Sequence, residues 1–559
     1  MRGGVTLYAT DEGNGHPYKI GEIASDSQNS QSGYALVDLA GKADSLIVEA
    51  PCDESAVQDF ASISVNVAIP FDMSVKRLAI IMLGIAILSV WGGRACSFLL
   101  RPFKGGALVY VVLWAAAAIP LLISLLFFAF PYNAQVAVYD SFQNHEYFEL
   151  AKALSQGNVA LDLPVSPELA SMKNPYDTAA REIGAVPYFW DYAYFEGSYY
   201  CYFGVLPCLL YYLPWYLATG GEFLNEWAVF ISLLLLIAGS IALMSAIAKR
   251  WFPRISWGSY LFGYVVLLVG TWGVFRIRHA NLYSVPIVTG LVCVFFALAC
   301  WILSTKGKKI KTSQAALGTL FASLTLACRP QLFLVSIFGL LLFVEALKRG
   351  AGRGMKTLAV FVPLLAVAML VGYYNYARFG SPFDFGANCN LTTNDMTHRG
   401  FSLVQSIESL YYYLVFPLSI SSSLPYVNLG MPQSWSLGNM ITQGLPGGIL
   451  SMTPVLVVGA FVCSKSFVKN ALVRCLGIVS MLVALVLIVF DGMGAGVLVR
   501  YFSDFGFFLA LPVVLVQVAL FSRCENTGRA ERFTRVSMAA LLALSVVLQF
   551  SYAAFSPVY

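Results

Sequence analysis

The sequence predicts an α-helical polytopic membrane protein of about twelve transmembrane helices, with a small β-rich module before the first of them. Hydrophobic residues make up 58% of the 559 residues and charged residues only 12%, which is about half the charged fraction of soluble domains. Apolar runs of about twenty residues recur, each long enough to cross a bilayer core. The net charge of +5 therefore reflects membrane topology and gives no indication of nucleic-acid binding.

Residues 1–75 are polar and are predicted to form an extracytoplasmic β-rich module. Short alternations of apolar and polar residues, such as YALVDLA, SLIVEA and ASISVNVAIPF, are separated by turn residues, a pattern typical of strands in an open sheet or a small sandwich. So few residues bury little core by themselves. We therefore expect a further segment to complete the module, for example a membrane helix upstream of Met1.

The membrane part divides into regions by composition. We expect an anchor helix and inner loop at 76–105, a transmembrane core at 106–377, an outer loop at 378–445 and C-terminal transmembrane helices at 446–559. The predicted spans are Leu78–Leu100, Gly106–Phe130, Trp227–Ala248, Ser256–Phe275, Leu282–Leu303, Thr312–Cys328, Gln331–Leu347, Thr357–Ala377, Gly447–Cys463, Ala471–Phe490, Ser503–Phe521 and Val536–Phe555.

The distribution of Lys and Arg sets the predicted orientation, because these residues concentrate in cytoplasmic loops. One further apolar run, Val205–Ala218, is short and contains two prolines. Counting it as a span would put the basic loop at 249–254 on the same side as an acidic excursion at 131–226. Leaving it out puts the basic loops together, so we predict a juxtamembrane or re-entrant helix. The 1–75 module, the excursion and the loop at 378–445 then face outward.

The acidic, aromatic excursion at 131–226 is where we expect the chemistry. Asp140 follows soon after the preceding span, which places it near the outer membrane surface. A carboxylate at this boundary between lipid and water can act as a general base on an acceptor hydroxyl. Asp140 and Gln143 also have the spacing of a capping box, so an N-cap role for Asp140 is the alternative.

Two further carboxylates of the excursion are catalytic candidates. Glu146 lies on the helix predicted after Asp140 and can assist catalysis or bind a metal, whereas a solvated helix face is the simpler interpretation. Asp191 lies in PYFWDYAYF, where aromatic side chains can stack on a sugar ring while the carboxylate accepts hydrogen bonds from its hydroxyls. The same aromatic residues can instead form a belt at the membrane interface.

Several cations lie at the predicted outer ends of the spans, against the usual charge bias. Guanidinium groups bind phosphate oxygens through paired hydrogen bonds, and an ionisable group at membrane depth indicates function. Snorkelling to the interface, or pairing with Asp384 and Asp504, is the alternative. The candidate phosphate-binding residues are Arg276, Arg278 and His279 in FRIRHANLY, Arg329 in ACRPQ, Arg378 and Arg500.

The cysteines show no zinc-type spacing, and those in apolar segments are expected to act as small hydrophobic residues. Cys201 and Cys208 lie seven residues apart near the end of the excursion. A disulfide between them is left open.

The order of these features resembles the GT-C superfamily of membrane glycosyltransferases, and most closely the bacterial proteins similar to dolichyl-phosphate-mannose–protein mannosyltransferases. The motifs that carry the resemblance are VYDSFQNHEYFELAKAL, NPYDTAAR, YFWDYAYFEGSYYCYFGVLP, the RP of ACRPQ, NYARFGSPFDFG and VRYFSDF. They are spread from about residue 106 to residue 521. Each motif is weak alone, so their order and spacing carry the match.

The resemblance implies a reaction and its participants. A polyprenyl-phosphate-linked sugar would be the donor, and a hydroxyl of a glycan, lipid or protein would attack the anomeric carbon with inversion. The family's loop acid corresponds by position to Asp140, and its cationic contacts to the lipid phosphate correspond to Arg276, Arg278, His279 or Arg329. The protein would lie in a bacterial plasma membrane as a multi-pass protein, with its active site on the extracytoplasmic side.

The second outer loop departs from the family pattern. Several relatives carry an acidic pair there, and some of these bind a metal, whereas this chain has RIRHANLY without an acid. The departure favours a mechanism without a metal or other cofactor. Three other function classes remain open: a ligase or polymerase that uses a lipid diphosphate donor, a transporter or flippase, and an inactive scaffold for the N-terminal module.

Overall fold

The computed structural model describes residues 4–24, 41–49, 97–130, 145–351, 357–392, 395–398, 402–420, 427–432, 441–521 and 529–555, with a few isolated positions between them. Asp140 and most of the predicted span Leu78–Leu100 lie outside the described residues. The chain forms two compact units. One comprises Met1–Ile87 and Ile420–Asn428, and the other comprises Leu88–Ser419 and Leu429–Tyr559.

The first unit contains the predicted β-rich module. Its described strands are β1 (Gly4–Asp11), β2 (Asn14–Ala24) and β3 (Ala43–Glu49), which form an antiparallel sheet in the order β2-β1-β3. The central strand buries Leu7 and Ala9, as period-two alternation predicts. At the turn into β2, a carboxylate oxygen of Asp11 accepts a hydrogen bond from the backbone N–H of Gly13 at 3.0 Å.

The second unit is helical and has the composition of a polytopic membrane protein, which confirms the predicted fold class. Eight helices of the described residues are long and apolar enough to cross a membrane, and two shorter apolar helices, Trp257–Gly270 and Pro454–Cys463, match two further predicted spans. The predicted span Thr312–Cys328 is a helix of 13 residues, Thr312–Leu324, followed by a 3₁₀ turn.

Besides its helices, the described part of this unit contains four short strands. The strands are β4 (Ala193–Phe195), β5 (Ser198–Tyr200), β6 (Ile441–Thr442) and β7 (Gly496–Val497). The α-helices are Ser97–Leu100, Ala107–Ser124, Glu146–Ser155, Pro167–Ser171, Thr178–Ile183, Leu213–Thr219, Asn225–Trp251, Trp257–Gly270, Gly273–Arg278, Ser284–Ser304, Thr312–Leu324, Ser336–Lys348, Thr357–Phe379, Leu403–Val415, Ile449–Met452, Ala471–Gly494, Phe502–Phe521 and Arg529–Phe555.

The spans differ in how much of each is buried within the protein. In an apolar 18-residue stretch of Val499–Phe521, 89% of the residues are buried, and in Ser284–Ser304 the share is 83%. In Ala107–Phe127 the share is 11%. A Cβ atom at Gly506 would lie 2.2 Å from the carbonyl oxygen of Gly270, so glycine permits close packing of these two helices. The spans Val499–Phe521 and Ser284–Ser304 therefore lie in the interior of this unit.

The excursion packs against the loop that follows the helix Thr357–Phe379. The backbone N–H of Asp191 donates to the Leu391 carbonyl at 2.7 Å, and the backbone N–H of Leu391 donates to the Tyr192 carbonyl at 2.9 Å. The buried guanidinium of Arg181 donates to the Thr392 carbonyl at 2.6 Å. Two segments that the sequence presents as separate outer loops thus form one structure around Asp191.

The run Val205–Ala218 is helical in the structure, through a π-helical turn at Cys208–Tyr212 and the helix Leu213–Thr219. At 1.5 Å per residue this segment is about 20 Å long, which is too short to cross a bilayer core. It packs against the helix Glu146–Ser155, where the rings of Tyr147 and Tyr212 stack with centroids 5.0 Å apart. A Cβ at Gly204 would lie 2.2 Å from the Ala327 carbonyl oxygen, so the segment begins against Ala327.

Candidate active site

Asp191 occupies a strained and buried position in the turn before β4. Its backbone φ is +67°, a left-handed conformation that costs a non-glycine residue on the order of 1–3 kcal/mol. The backbone N–H of Asp191 is held by the Leu391 carbonyl, and the residue is 5% exposed. The packing of the two outer loops thus fixes the direction of the carboxylate.

Both carboxylate oxygens of Asp191 accept hydrogen bonds from side chains that are distant in sequence. The hydroxyl of Tyr283 donates to Oδ2, and Nδ2 of Asn390 donates to Oδ1 at 2.6 Å. Burial raises the pKa of Asp191, while these two hydrogen bonds and the positive charge of Arg500 oppose the rise. Asp191 is thus a buried carboxyl group held through both oxygens next to a cation, with a pKa above its ordinary value.

Arg500 lies on the face of Tyr283, with its guanidinium carbon 4.0 Å from the ring centroid. The ring of Tyr501 lies 5.4 Å from the same carbon. Within the described part of the chain, the guanidinium of Arg500 donates no hydrogen bond. Its position is therefore set by aromatic rings, and its N–H groups are available to an anion.

A second cation, Arg329, also lies near Tyr501. Its guanidinium is 5.3 Å from that ring and forms an ion pair with Asp504, whose side chain is fully buried. Asp491 accepts a hydrogen bond from Gln331 at 3.4 Å. The alternative of pairing with Asp504, considered for Arg378 and Arg500, is thus realised by Arg329 instead.

Arg276 is the third cation of this group. It ends the short helix Gly273–Arg278, is 1% exposed, and donates to the hydroxyl of Ser284 at 3.4 Å. Burial, and then the charge of Arg500, lower the pKa of Arg276 to about 9. Among the described residues, its Nε and Nη2 atoms have no hydrogen-bond partner.

The other three candidate phosphate ligands differ from this group. Arg278 donates to the carbonyl of Ala553, and Arg378 donates to the Cys201 carbonyl and to Oδ1 of Asn375, each at 2.6 Å. His279 lies near Arg276, but burial and the charges of Arg276 and Arg278 lower its pKa to about 3, so its ring is neutral at pH 7. Arg276, Arg329 and Arg500 are therefore the predicted cations that lie near one another and carry charge there.

Glu146 is the first residue of the helix Glu146–Ser155 and is 2% exposed. The interpretation of Glu146 as part of a solvated helix face is therefore wrong, because it shares the buried face with Leu150 and Ala153. Burial raises the pKa of the Cys201 thiol to about 12, and the charges of Glu146 and Asp191 act in the same direction. Two of the three predicted carboxylates thus lie near Cys201. The third, Asp140, lies outside the described residues.

The structure adds site residues that the sequence did not single out. Tyr283 and Asn390 hold Asp191, and the ring of Tyr501 lies near two guanidinium groups. Asp491 lies near the end of an apolar helix, where an ionisable residue was a usable signal of function. Tyr283 and Asn390 occur in loop sequences and carried no such signal.

The described residues contain neither a cluster of metal ligands nor a disulfide between Cys201 and Cys208. Among the described residues, no group of three or more His, Cys, Asp or Glu side chains is placed to hold a metal ion. Cys201 and Cys208 are both buried free thiols, and the Cys208 thiol donates to the Tyr147 carbonyl at 3.6 Å. The disulfide left open from the sequence is thus not formed.

Comparisons with known proteins complete the description. No family model matches the sequence, and no curated protein matches it. Among solved structures, the chain is similar to the crystal structure of ArnT from Cupriavidus metallidurans bound to undecaprenyl phosphate, with 13% sequence identity and a TM-score of 0.38. The match covers 77% of this chain and 62% of ArnT, so the chain spans less than two thirds of that protein. Similarity at this level does not establish a common fold, and the GT-C resemblance rests on the sequence motifs.

Proposed function

We propose that this protein transfers a sugar from a polyprenyl-phosphate-linked donor to an acceptor hydroxyl at the predicted outer face of the membrane. The observation that carries the proposal is the arrangement of Arg500, whose N–H groups are free for an anion, beside the buried carboxylate of Asp191. The arrangement is formed where membrane helices meet the excursion. A polyprenyl-phosphate sugar has matching groups in the same order, with an apolar tail for the membrane helices, a phosphate for Arg500 and a sugar for the excursion.

The proposed role of Arg500 is to bind the donor phosphate and to stabilise the charge that develops on it as the glycosidic bond breaks. A guanidinium can donate two parallel hydrogen bonds to phosphate oxygens, and a preorganised cation stabilises a leaving anion without reorganisation. Arg276 lies within electrostatic range of Arg500 and Arg329 and adds to the positive potential there, whereas the charge of Arg329 is offset by Asp504.

Asp191 is proposed to act on Arg500 through Tyr283. The carboxylate holds the Tyr283 hydroxyl, and the ring of Tyr283 supports the guanidinium. This makes Asp191 a positioning residue for the phosphate site. Glu146, which lies near Cys201 as Asp191 does, is proposed to contribute to the electrostatics of the same region.

Asp140 is proposed as the general base. The acceptor oxygen forms a bond to the anomeric carbon while the bond from that carbon to the phosphate oxygen breaks. The acceptor proton passes to the Asp140 carboxylate, and polyprenyl phosphate leaves with the bonding electrons. Attack from the face opposite the phosphate inverts the anomeric configuration. No step requires a metal or another cofactor.

The sequence resemblance favours a monophosphate donor over the diphosphate donor of a ligase or polymerase. Asp504 pairs with Arg329, whereas Arg276 and Arg500 keep N–H groups without a hydrogen-bond partner among the described residues. These N–H groups are proposed to receive the phosphate of the donor.

The experiment is a transfer assay with purified protein in lipid nanodiscs. Polyprenyl monophosphate and diphosphate sugars are compared, and release of the lipid phosphate is followed by mass spectrometry. We expect turnover of a monophosphate donor, no turnover by Asp140→Asn with donor binding retained, and weaker donor binding by Arg500→Gln. Asp162→Asn, an exposed acid of the same excursion, is the matched control. Wild-type activity of Asp140→Asn would make Asp140 a helix cap only, and absence of any transfer product would favour a transporter or scaffold.

A further inference from the structure

Asn390 carries an unused hydrogen-bond acceptor next to Asp191. Its Nδ2 atom donates to Asp191, and its backbone forms a β-bridge with Ala193. The residue is 4% exposed, and its Oδ1 atom has no hydrogen-bond partner in the described part of the chain. A buried acceptor without a partner costs about 1–3 kcal/mol, so this orientation of the amide needs a compensating donor.

The groups around Asn390 indicate what kind of donor would fit. Its amide is oriented by the Asp191 carboxylate, both of whose oxygens already accept hydrogen bonds, so the open acceptor here is Asn390 Oδ1. Tyr202 lies within electrostatic range of Asp191 and Arg500, and its ring packs on Phe203 with centroids 4.1 Å apart. An open amide acceptor in an aromatic region suits a sugar ring with a free hydroxyl. The open acceptor and the nearby carboxylate disfavour a carboxylate or phosphate substituent at the same position.

We propose that Asn390 Oδ1 accepts a hydrogen bond from a hydroxyl of the donor sugar, which makes Asn390 a specificity-determining residue. The proposal rests on the proposed function, since it places the sugar of the lipid-linked donor beside the phosphate held by Arg500. The substrate class is a sugar with an unmodified hydroxyl at the contact position. A donor that is deoxygenated or carries a carboxylate there is excluded.

The test compares the binding of undecaprenyl phosphate alone with that of its glucosyl, galactosyl, mannosyl and arabinosyl esters, measured on the full-length protein in nanodiscs. Wild-type protein is expected to bind at least one of the esters more tightly than the bare lipid phosphate. Asn390→Leu is expected to reduce that preference about tenfold or more, in addition to any weaker binding of the bare lipid that follows from the lost hydrogen bond to Asp191. Monodeoxy analogues of the preferred ester identify the hydroxyl, since for one analogue the affinity relative to the bare lipid is the same in both proteins.

Asn375→Leu is the matched control, because Asn375 is also a buried amide but uses both of its polar groups, on Arg378 and on the Pro382 carbonyl. It is expected to keep the preference for the sugar ester. The proposal is overturned if wild-type protein binds no sugar ester more tightly than the bare lipid phosphate. It is also overturned if Asn390→Leu keeps the wild-type preference, that is, if it loses affinity for the ester and for the bare lipid by the same factor. Failure of the proposed function is a separate result, namely a sugar preference in binding without transfer to any acceptor.

Discussion

Replacing Tyr283 by Phe tests the connection between Asp191 and Arg500. The substitution removes the hydroxyl that donates to Asp191 and keeps the ring that lies 4.0 Å from the guanidinium. A hydrogen bond to a charged group contributes about 1.5–3 kcal/mol, and 1.36 kcal/mol corresponds to about a tenfold change. We therefore expect kcat/KM for the lipid-linked donor to fall about 10- to 100-fold.

The pH dependence of this variant has a definite sign. Burial raises the pKa of Asp191, and the Tyr283 hydroxyl is one of the groups that oppose the rise. Without that hydroxyl, the pKa of Asp191 rises further, and the carboxylate is lost at a higher pH. The acid limb of the pH–rate profile should therefore move to higher pH, so the defect is largest in acidic buffer.

The assay is donor turnover in nanodiscs from acidic to neutral pH, with Tyr283→Leu as the companion variant. Leu removes the ring as well, and the lost cation–π contact adds about 0.5–2 kcal/mol, which should appear as weaker donor binding. Wild-type kinetics of Tyr283→Phe with an unshifted acid limb would refute the link from Asp191 to Arg500. Equal defects in the Phe and Leu variants would show that the ring does not support the guanidinium.

Two further predictions concern stability. Asp504→Asn leaves Arg329 without its buried partner and should destabilise the protein by about 3–5 kcal/mol in detergent unfolding, whereas the double change Arg329→Met with Asp504→Leu should recover most of that loss. His145 donates through Nδ1 to Oε1 of Glu222 at 2.6 Å, and this hydrogen bond raises the pKa of His145. Its stabilisation is therefore complete below the unfolded pKa of about 6.5 and is lost as pH rises through the folded value. Hydrogen-exchange protection near His145, corrected for the intrinsic pH dependence of amide exchange, should fall over that range and stay constant in Glu222→Gln, and constant protection in the wild type would contradict the prediction.

The membrane helices could be predicted from the sequence because their signal is local. Apolar length alone located eight spans and two shorter helices of the described residues. The burial of Glu146 was also available from the sequence, since residues 146, 150 and 153 have the spacing of one helix face and that face is buried. The interpretation of Glu146 as solvated was wrong because it rested on the charge of the side chain and not on this periodicity.

The composition of the site could be predicted only in part, because the residues meet through tertiary packing. Asp191, Arg276, Arg329 and Arg500 were identifiable because charge near a membrane is costly. Tyr283 and Asn390 were not, since an isolated Tyr or Asn in a loop resembles a membrane-interface or turn residue. Their roles depend on hydrogen bonds to Asp191 across 92 residues for Tyr283 and 199 residues for Asn390, which no sequence periodicity encodes.

A structure of the protein with bound undecaprenyl phosphate in a nanodisc tests the central claim most directly. We predict phosphate oxygens within hydrogen-bond distance of the Arg500 guanidinium, with Asp140 facing the same cavity. A phosphate bound instead beside Arg278 or Arg378, or an Asp140 carboxylate that does not face the bound phosphate, would contradict the proposed mechanism.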